Sequence, residues 1–243
     1  MEKSPPSSFC VGRDLVISGR MAHRRQAVGS TGVVFHVMNR GVRRWRLFES
    51  DVEYQTCLLV LGEARERYPV DLFAYCLMPN HFHLVARPTA DGQLSKFMQW
   101  FCATHSRRWH LRRGTTGTGS VYQGRFKAFP VETDAHFLTV SRYVERNPLR
   151  ASLVARAEDW PWSSLGQRER RLGPIRMARW PVESGGDWKE FVNQPEPNSE
   201  IVRVRKSLAH SVPFGSDSWS ERVGSTLAMK CSARGAGRPG TRK

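Results

Sequence analysis

Two short apolar runs separated by a three-residue turn constrain the fold of this chain more than any other feature. The runs cover residues 72–77 and 81–86, and the residues between them are Met78, Pro79 and Asn80. Apolar runs of this length that are bounded by turn residues are typical of strands, and a short turn between two strands predicts a β-hairpin. The chain is therefore expected to contain an antiparallel sheet.

Other segments place strands and helices around this hairpin. Runs at 33–38 and 125–131 are rich in β-branched and aromatic residues and predict two more strands. Apolar residues recur at helical spacing over 51–67 and 94–113, and Asp134 opens a third helix. The order strand, helix, strand, strand, helix, strand, helix matches a split βαβ arrangement. The predicted fold class is α/β (α+β), a ferredoxin-like or RRM-like antiparallel sheet with helices on one face and the other face free for a ligand.

Composition divides the chain into three parts. Residues 1–30 mix Pro, Ser, Gly and Arg without periodicity and are expected to form a flexible basic arm. The predicted strands and helices fall within 31–165, which is interpreted as the functional domain. Beyond Pro148 the chain loses clear periodicity, and 166–243 is interpreted as a basic C-terminal extension. Its Gly-rich tail, 230–243, is expected to be disordered.

The charge of the chain indicates its class of partner. Lys and Arg number 38 against 22 Asp and Glu, a formal net charge of +16. Such an excess favours a polyanion, with nucleic acid as the leading candidate. No apolar run approaches the roughly 18 to 20 residues of a membrane span, so no membrane partner is expected. The charged N-terminus lacks an apolar signal core, which predicts a cytoplasmic protein.

The five cysteines are scattered without a Cys-x-x-Cys pair, which argues against a zinc ribbon and a disulfide framework. Free thiols are expected, and Cys57, Cys76 and Cys102 lie in apolar stretches that predict burial.

Two histidines open the second strand of the hairpin. Residues two apart on a strand point to the same face, so His81 and His83 would present two imidazoles side by side while Phe82 points into the core. Two imidazoles are half of a metal site. They are equally consistent with two surface or cross-strand histidines.

Tyr143 and Asn147 stand four apart on the third predicted helix, which stacks them on a single face. Pro148 disfavours the helical conformation at Asn147, so the helix is expected to end there. A tyrosine is a plausible nucleophile for a phosphodiester, because phosphotyrosine conserves the energy of the bond and leaves a hydroxyl that can attack back. An amide oxygen from Asn147 would add a third ligand to the imidazoles. The alternative is that Tyr143 serves packing. The helical wheel turns three charged residues away from the apolar side: Arg142, Glu145 and Arg146.

Basic and aromatic residues are interleaved near these segments, as in proteins that stack single-stranded bases and follow the phosphate backbone. The alternative for the basic residues after the first strand is a solvated turn without a DNA contact. The alternative for Trp109 is a position in the core. The candidate DNA-binding residues are Arg40, Arg43, Arg44, Arg107, Arg108, Arg112, Arg125 and Lys127.

Five segments together resemble the REP-associated tyrosine transposases, a branch of the HUH single-strand transposases with an IS200-like domain. The segments, which span residues 32 to 165 in the order of that family, are 35–41, 78–84, 122–127, 143–150 and 159–164. The resemblance implies that His81 and His83 bind Mg²⁺ or Mn²⁺, that Asn147 completes the metal site, and that Tyr143 is the nucleophile. It leaves open what the Pro-aromatic-Gly turn at Pro213, Phe214 and Gly215 contacts.

The resemblance also implies a partner and a reaction. The expected partner is a single-stranded DNA hairpin of the REP-like palindrome type, which the protein would cleave and rejoin through a 5′-phosphotyrosine. A monomer is expected, with a dimer as the alternative. A domesticated hairpin DNA- or RNA-binding protein that does not cut is the rival hypothesis. A replication initiator or relaxase of the HUH group is less consistent with the chain, which has no second tyrosine near Tyr143.

Overall fold

The computed structural model describes residues 30–227 except 171, 172 and 174. Four strands form an antiparallel sheet: β1 (Val34–Arg40), β2 (Val70–Met78), β3 (His81–Pro88) and β4 (Lys127–Val131). Their order in the sheet is β2-β3-β1-β4. Pro79 and Asn80 make the tight turn of the β2-β3 hairpin. Helices follow β1 and β3, which is the connectivity of a split βαβ sheet. The predicted fold class is confirmed.

Eight helices of the described residues surround this sheet. They are α1 (Asp51–Arg67), α2 (Gln93–Arg113), α3 (Ala135–Glu145), α4 (Asn147–Arg150), α5 (Ser164–Arg170), α6 (Trp188–Asn193), α7 (Asn198–His210) and α8 (Asp217–Thr226). The helices predicted over 51–67 and 94–113 correspond to α1 and α2. None of the described helices combines the length and the hydropathy that crossing a membrane requires.

The first face of the sheet, defined here as the face packed by α1 and α2, is a continuous apolar layer. Phe35 and Leu84 point to this face and are fully buried in one cluster with residues of both helices. Phe82 of β3 meets Phe101 of α2 edge to face, with ring centroids 5.2 Å apart. Burial of such large rings contributes roughly 1.5 to 3 kcal/mol each to stability.

The second face of the sheet is packed by α3. Phe73, Val85 and Phe129 point to this face and are fully buried against Phe137 and Val140 of α3. The expectation of a second face free for a ligand is therefore wrong. The strands are apolar on both sides in their central part, and a sheet of this composition must be covered twice.

The third predicted helix ends earlier than expected. The helix α3 ends at Glu145, Arg146 keeps a helical conformation, and Asn147 begins the short helix α4. Pro148 has no N–H to donate to the preceding turn, and Pro is favourable at the start of a new helix. Asn147 thus lies at the beginning of α4 rather than in the last turn of α3.

The chain beyond Pro148 is more ordered than its sequence pattern predicted. In α7, Val204 is buried and Ile201 and Leu208 are partly buried against the second-face cluster, so the absence of clear periodicity there was a wrong expectation. The boundary placed at residue 165 falls within α5. The predicted basic arm and Gly-rich tail lie outside the described residues, apart from Ser30.

The turn that contains Phe214 pairs with the sheet edge. Phe214 is buried and its backbone N–H donates to the Pro130 carbonyl at 2.9 Å, while the Glu132 N–H donates to the Phe214 carbonyl at 3.0 Å. The turn thereby covers the exposed edge of β4, which would otherwise be open to pairing with another chain.

Three of the five cysteines lie in the described residues. Cys57, Cys76 and Cys102 are free thiols, as predicted. The first two are buried and Cys102 is partly buried.

Candidate active site

The two histidines of the hairpin lie at the start of β3 on the second face. The strand register pairs His81 with Arg40 and His83 with Met38. Phe82 between them points to the first face, as the alternation of side chains along a strand requires. The imidazole centroids of His81 and His83 are 4.9 Å apart. The structure thus brings these two predicted ligands side by side.

Asn80 fixes the tautomer of His81. The Nδ1 of His81 lies 2.6 Å from the Asn80 Oδ1. The Asn80 Nδ2 donates to the Arg44 carbonyl at 3.3 Å. With its nitrogen used in this way, the Asn80 amide presents an oxygen, which accepts only. The His81 Nδ1 therefore carries the proton, and its Nε2 keeps a lone pair for a ligand.

A third histidine stands behind His83. The His36 Nε2 and the His83 Nδ1 are 2.9 Å apart and both side chains are buried. If His83 donates through Nδ1, its Nε2 is left as a free acceptor, which is the tautomer that binds metal ions. The His36 Nδ1 has no partner among the described residues. The structure thus gives a hydrogen-bond partner to only one of the two ring nitrogens of His36.

These imidazoles are held neutral. Burial lowers the pKa of His36 to about 3. Burial and, secondarily, the nearby Arg40 lower the pKa of His81 to about 4. The pKa of His83 is lowered well below its ordinary value, by burial first and then by the neighbouring His81. A neutral imidazole is the form that binds a metal ion.

Tyr143 reaches the same face from α3. Its ring meets the His83 ring edge to face with centroids 5.9 Å apart, and the His36 ring at 6.1 Å. The side chain of Tyr143 is largely buried, and Phe137 and Val140 anchor α3 on the sheet. The predicted nucleophile and the predicted metal ligands therefore lie together on the second face.

Asn147 and Arg150 extend this group. The Arg150 Nη1 donates to the Asn147 Oδ1 at a long 3.4 Å, and the buried Asn147 Nδ2 has no partner among the described residues. The Arg150 guanidinium lies 4.2 Å from the centroid of the Tyr143 ring, within cation–π distance. A buried amide with so few partners has hydrogen-bonding capacity left for a ligand.

The donor set of the three predicted ligands fits a divalent ion. His81 keeps an Nε2 available, His83 does so when its Nδ1 donates to His36, and Asn147 has an amide oxygen that accepts one long hydrogen bond, at 3.4 Å. Two nitrogen donors suit Mn²⁺ better than Mg²⁺, which prefers a shell of oxygen ligands.

A different cluster of ligand-type side chains lies at the far end of the sheet. Glu132, Asp134 and His136 have ligand atoms within 4.8 Å of one another. Asp134 accepts from the His136 backbone N–H at 2.7 Å, and Glu132 accepts from the Ser216 N–H at 2.6 Å. These groups therefore cap α3 and fasten the turn before α8. They lie about 20 Å along β1 from His81, given a strand rise of roughly 3.3 Å per residue.

The eight candidate DNA-binding residues fall into two groups. Arg40 and Lys127 are on the second face at the histidine end of the sheet, with Arg43 and Arg44 exposed in the turn after β1. The exposed Arg125 also lies at this end, because the segment before β4 pairs with the end of β1 through the Gln123 N–H and the Arg40 carbonyl. The others lie on α2, in the opposite layer: Arg107, Arg108 and Arg112. Arg108 forms an ion pair with Glu63 of α1 at 2.7 Å, which indicates a packing role.

Four site residues escaped sequence reasoning: His36, Asn80, Arg150 and Glu196. Asn80 was available as the direct neighbour of His81. The contact of His36 depends on the register of β1 against β3, 47 residues apart. The contact of Glu196 with Arg150 joins residues 46 apart and has no local signal in the sequence.

Comparisons with known proteins find a family model and several relatives similar to this chain. Residues 30–147 match the family model "Transposase IS200 like". A REP-associated tyrosine transposase of Escherichia coli (strain K12) is 21% identical over 176 residues, covering 70% of this chain and 95% of the relative. A protein of Haemophilus influenzae provisionally given the same name is 24% identical over 130 residues, covering 50% of this chain and 70% of the relative.

Among solved structures, that of a REP-associated tyrosine transposase bound to a REP hairpin is 21% identical with a TM-score of 0.49. The match covers 68% of this chain and 96% of that chain. The resemblance read from the sequence is confirmed by the family match.

Proposed function

We propose that this protein, whose residues 30–147 match the family model of IS200-like transposases, cleaves and rejoins single-stranded DNA folded into hairpins of the REP-like palindrome type. The observation that carries the proposal is the convergence of Tyr143, His81 and His83 on the second face, with the Tyr143 and His83 ring centroids 5.9 Å apart. A tyrosine among neutral imidazoles is suited to attack on a phosphodiester.

The proposed reaction is a transesterification at Tyr143. Its hydroxyl loses a proton, its oxygen bonds to the scissile phosphorus, and the bond from phosphorus to the 3′-oxygen breaks. The 3′-oxygen takes up a proton, and the fragment on the 3′ side of the cut stays on the enzyme through its 5′-phosphate, as a 5′-phosphotyrosine. The number of phosphoester bonds is unchanged, so a free 3′-hydroxyl can reverse the step and join a new end.

The remaining residues of the site prepare this step. His81, His83 and Asn147 would hold a Mg²⁺ or Mn²⁺ ion, which when bound polarises the scissile phosphate. Asn80 and His36 hold the two imidazoles in the orientation and tautomer that leave each Nε2 free. Burial of the Tyr143 ring between α3 and the sheet limits the orientations of the phenol.

We propose that the protein acts as a monomer with Tyr143 in cis. The tyrosine helix α3 is packed on the sheet of its own chain through fully buried residues such as Phe137 and Val144. Release of α3 to a second copy would expose this cluster to water, at a cost of roughly 25 cal/mol for each Å² of apolar surface.

The proposed partner is a DNA hairpin. The net charge of +16 provides the attraction to phosphate. Arg40 and Lys127 lie beside the histidines, where they would contact the strand that enters the site. With DNA as the substrate, the protein would work at the nucleoid in the cytoplasm.

The proposed roles of the domain and of the extension correspond to the boundary read from the sequence. The domain over 31–165 carries the chemistry, and the extension over 166–243 supports it. Support for this division comes from the buried contacts that α6 and α7 make with α3.

The experiment is incubation of the protein with end-labelled hairpin DNA and Mn²⁺, followed by denaturing electrophoresis. We expect a covalent adduct that Tyr143→Phe abolishes. The double variant His81→Ala/His83→Ala should lose cleavage and keep most of its hairpin affinity, since phosphate contacts dominate binding. Tight hairpin binding by the wild type without any adduct would instead support the rival, a protein that binds hairpins and does not cut.

A further inference from the structure

A buried ion pair joins the C-terminal extension to the tyrosine. Glu196, which lies between α6 and α7, accepts from the Arg150 Nη2 at 2.8 and 3.1 Å and from its Nε at 3.1 Å. The Glu196 side chain is 4% exposed and that of Arg150 is 16% exposed. Such forked pairs fix orientation as well as charge, because the planar guanidinium matches the carboxylate at more than one atom.

Within the described part of the chain, the guanidinium of Arg150 also contacts two residues of the proposed active site. Its guanidinium lies 4.2 Å from the Tyr143 ring centroid and donates to the Tyr143 backbone carbonyl at 2.9 Å. It also donates to the Asn147 Oδ1 at 3.4 Å. One side chain thus contacts both the proposed nucleophile and the proposed third ligand, and Glu196 determines where that side chain lies.

The segment that carries Glu196 is itself held on α3. Arg142 donates to the Gln194 and Pro195 carbonyls at 2.7 and 3.1 Å, and Arg146 donates to the Val192 carbonyl at 2.6 Å. Prolines at 195 and 197 restrict the backbone on both sides of Glu196. The carboxylate is therefore presented from a rigid support.

Stability alone does not explain this arrangement. Desolvation of two charges offsets most of their attraction, and a buried ion pair is often no more stabilising than an apolar pair of similar volume. What it supplies is a defined orientation of the groups around it.

Given the proposed function, on which this inference rests, we propose that Glu196 is a positioning residue. It holds Arg150 across the ring of Tyr143 and beside Asn147, so that the C-terminal extension completes the active site in cis. Without the carboxylate, Arg150 has other rotamers available, and the phenol and the amide lose a shared neighbour.

The test compares Glu196→Gln with a matched control, Glu190→Gln. Glu190 lies in the same extension and also pairs with an arginine, Arg156, but its side chain is 53% exposed. The rate of adduct formation is measured in single turnover at saturating hairpin with Mn²⁺, together with hairpin affinity and Tm.

Glu196→Gln should slow adduct formation roughly 10- to 100-fold, the range associated with small misplacements of reacting groups. Its hairpin affinity should stay within about twofold of wild type, because phosphate contacts dominate binding. Glu190→Gln should match the wild type in both. Arg150→Lys keeps the charge but loses the planar fork, so it should be as slow as Glu196→Gln, whereas Glu196→Asp should recover part of the rate.

Three outcomes would overturn the positioning role. They are a Glu196→Gln rate within twofold of wild type, a rate above wild type, and full activity of Arg150→Lys. An inactive wild type would count against the proposed function instead.

A second measurement does not depend on cleavage. In protein labelled with 3-fluorotyrosine, the ¹⁹F resonance of Tyr143 is assigned by its loss in Tyr143→Phe. Glu196→Gln should shift this resonance and Glu190→Gln should not. An unchanged Tyr143 resonance in Glu196→Gln would refute the positioning role whether or not the protein cuts DNA.

Discussion

The two faces of the sheet are built from different chemistry. Against the first face, α1 and α2 bury aromatic and aliphatic side chains such as Phe82 and Phe101. On the second face, apolar residues share the interior with His36, His83, Glu145 and Asn147. Buried polar groups are costly unless each has a partner. The first face therefore contributes mainly to stability, whereas the second face carries the reactive groups and needs partners for them.

Partners for these polar groups come from distant parts of the chain. Glu145 is fully buried and accepts from Ser164, from Arg168 at 2.6 and 2.7 Å, and from the Trp188 indole at 2.7 Å. The second face therefore takes the partners of its buried Glu145 from the C-terminal extension, whereas the first face is covered mainly by α1 and α2, with Ile175 of the extension buried against them.

Acid should have the largest effect on stability, acting mainly through the second face. The pKa values of His36 and His81 are lowered to about 3 and about 4, and that of His83 is lowered well below its ordinary value, by burial first and then by the neighbouring His81. Below about pH 6.5 these histidines bind protons in the unfolded chain but not in the folded chain. The stability that their neutral state provides is therefore fully present above that pH and falls towards pH 4. Each histidine contributes about 1.4 kcal/mol per pH unit, so two units would remove most of the stability of a typical domain.

Urea unfolding at pH 7 and pH 5 measures this loss. His105, on the first face, has its pKa lowered to about 4 by burial, so His105→Phe is the control. The variant should retain most of the pH dependence. Equal stability of the wild type at both pH values would contradict the neutral, buried state of the second-face histidines.

Removal of the Glu145 carboxylate should have the next largest effect. Glu145→Ala leaves the Arg168 charge and the Trp188 N–H without their acceptor. The loss of one partner from a buried pair costs about 3 to 5 kcal/mol, and the partial exposure of Arg168 places the cost near 3 kcal/mol. Urea denaturation measures it, and Glu190→Ala, at an exposed pair, should cost less than about 1 kcal/mol. Equal costs for the two variants would mean that the extension does not stabilise the second face.

A change on the first face should affect stability without affecting chemistry. Phe101→Leu removes ring atoms that pack on Phe82 and should cost about 1 to 2 kcal/mol. Adduct formation measured well below the Tm should equal that of the wild type. A tenfold slower reaction in this variant would show that the two faces are not separable.

His36→Phe should give the opposite pattern and the smallest change in stability. The variant removes the unpartnered Nδ1 of His36 but leaves the His83 Nδ1 without its partner. The variant thus exchanges one unpartnered nitrogen, His36 Nδ1, for another, His83 Nδ1. The free energy of unfolding should therefore change by less than about 1 kcal/mol. Adduct formation should fall at least roughly tenfold, the lower end of what loss of a group that orients a ligand costs. Wild-type activity would remove His36 from the site.

The sequence predicted those parts of the molecule that local patterns determine. The hairpin, α1 and α2 follow from apolar periodicity and turn residues within single segments, and His81 and His83 follow from alternation along one strand. The pairing of Tyr143 with these histidines could be expected from the order of elements, although its geometry could not.

The rest depends on contacts between distant segments. Charged residues normally lie in solvent, yet the side chains of Arg142, Glu145 and Glu196 are buried. Nothing in their own sequence segments indicates the distant partners that make this burial possible. The contact of His36 with His83 requires the register of two strands. The covering of the second face by α3 and the extension was missed for the same reason, since helix positions over a sheet are set by packing rather than by local sequence.

The most direct test of the active site is mass spectrometry of the wild-type protein after reaction with a hairpin that carries a 3′ flank and Mn²⁺. We predict an increase in mass equal to the 3′-side fragment, on the peptide that contains Tyr143 and on no other. An adduct on a different residue, or an unmodified Tyr143 in protein that has cleaved the hairpin, would contradict the assignment of the second face as the catalytic face.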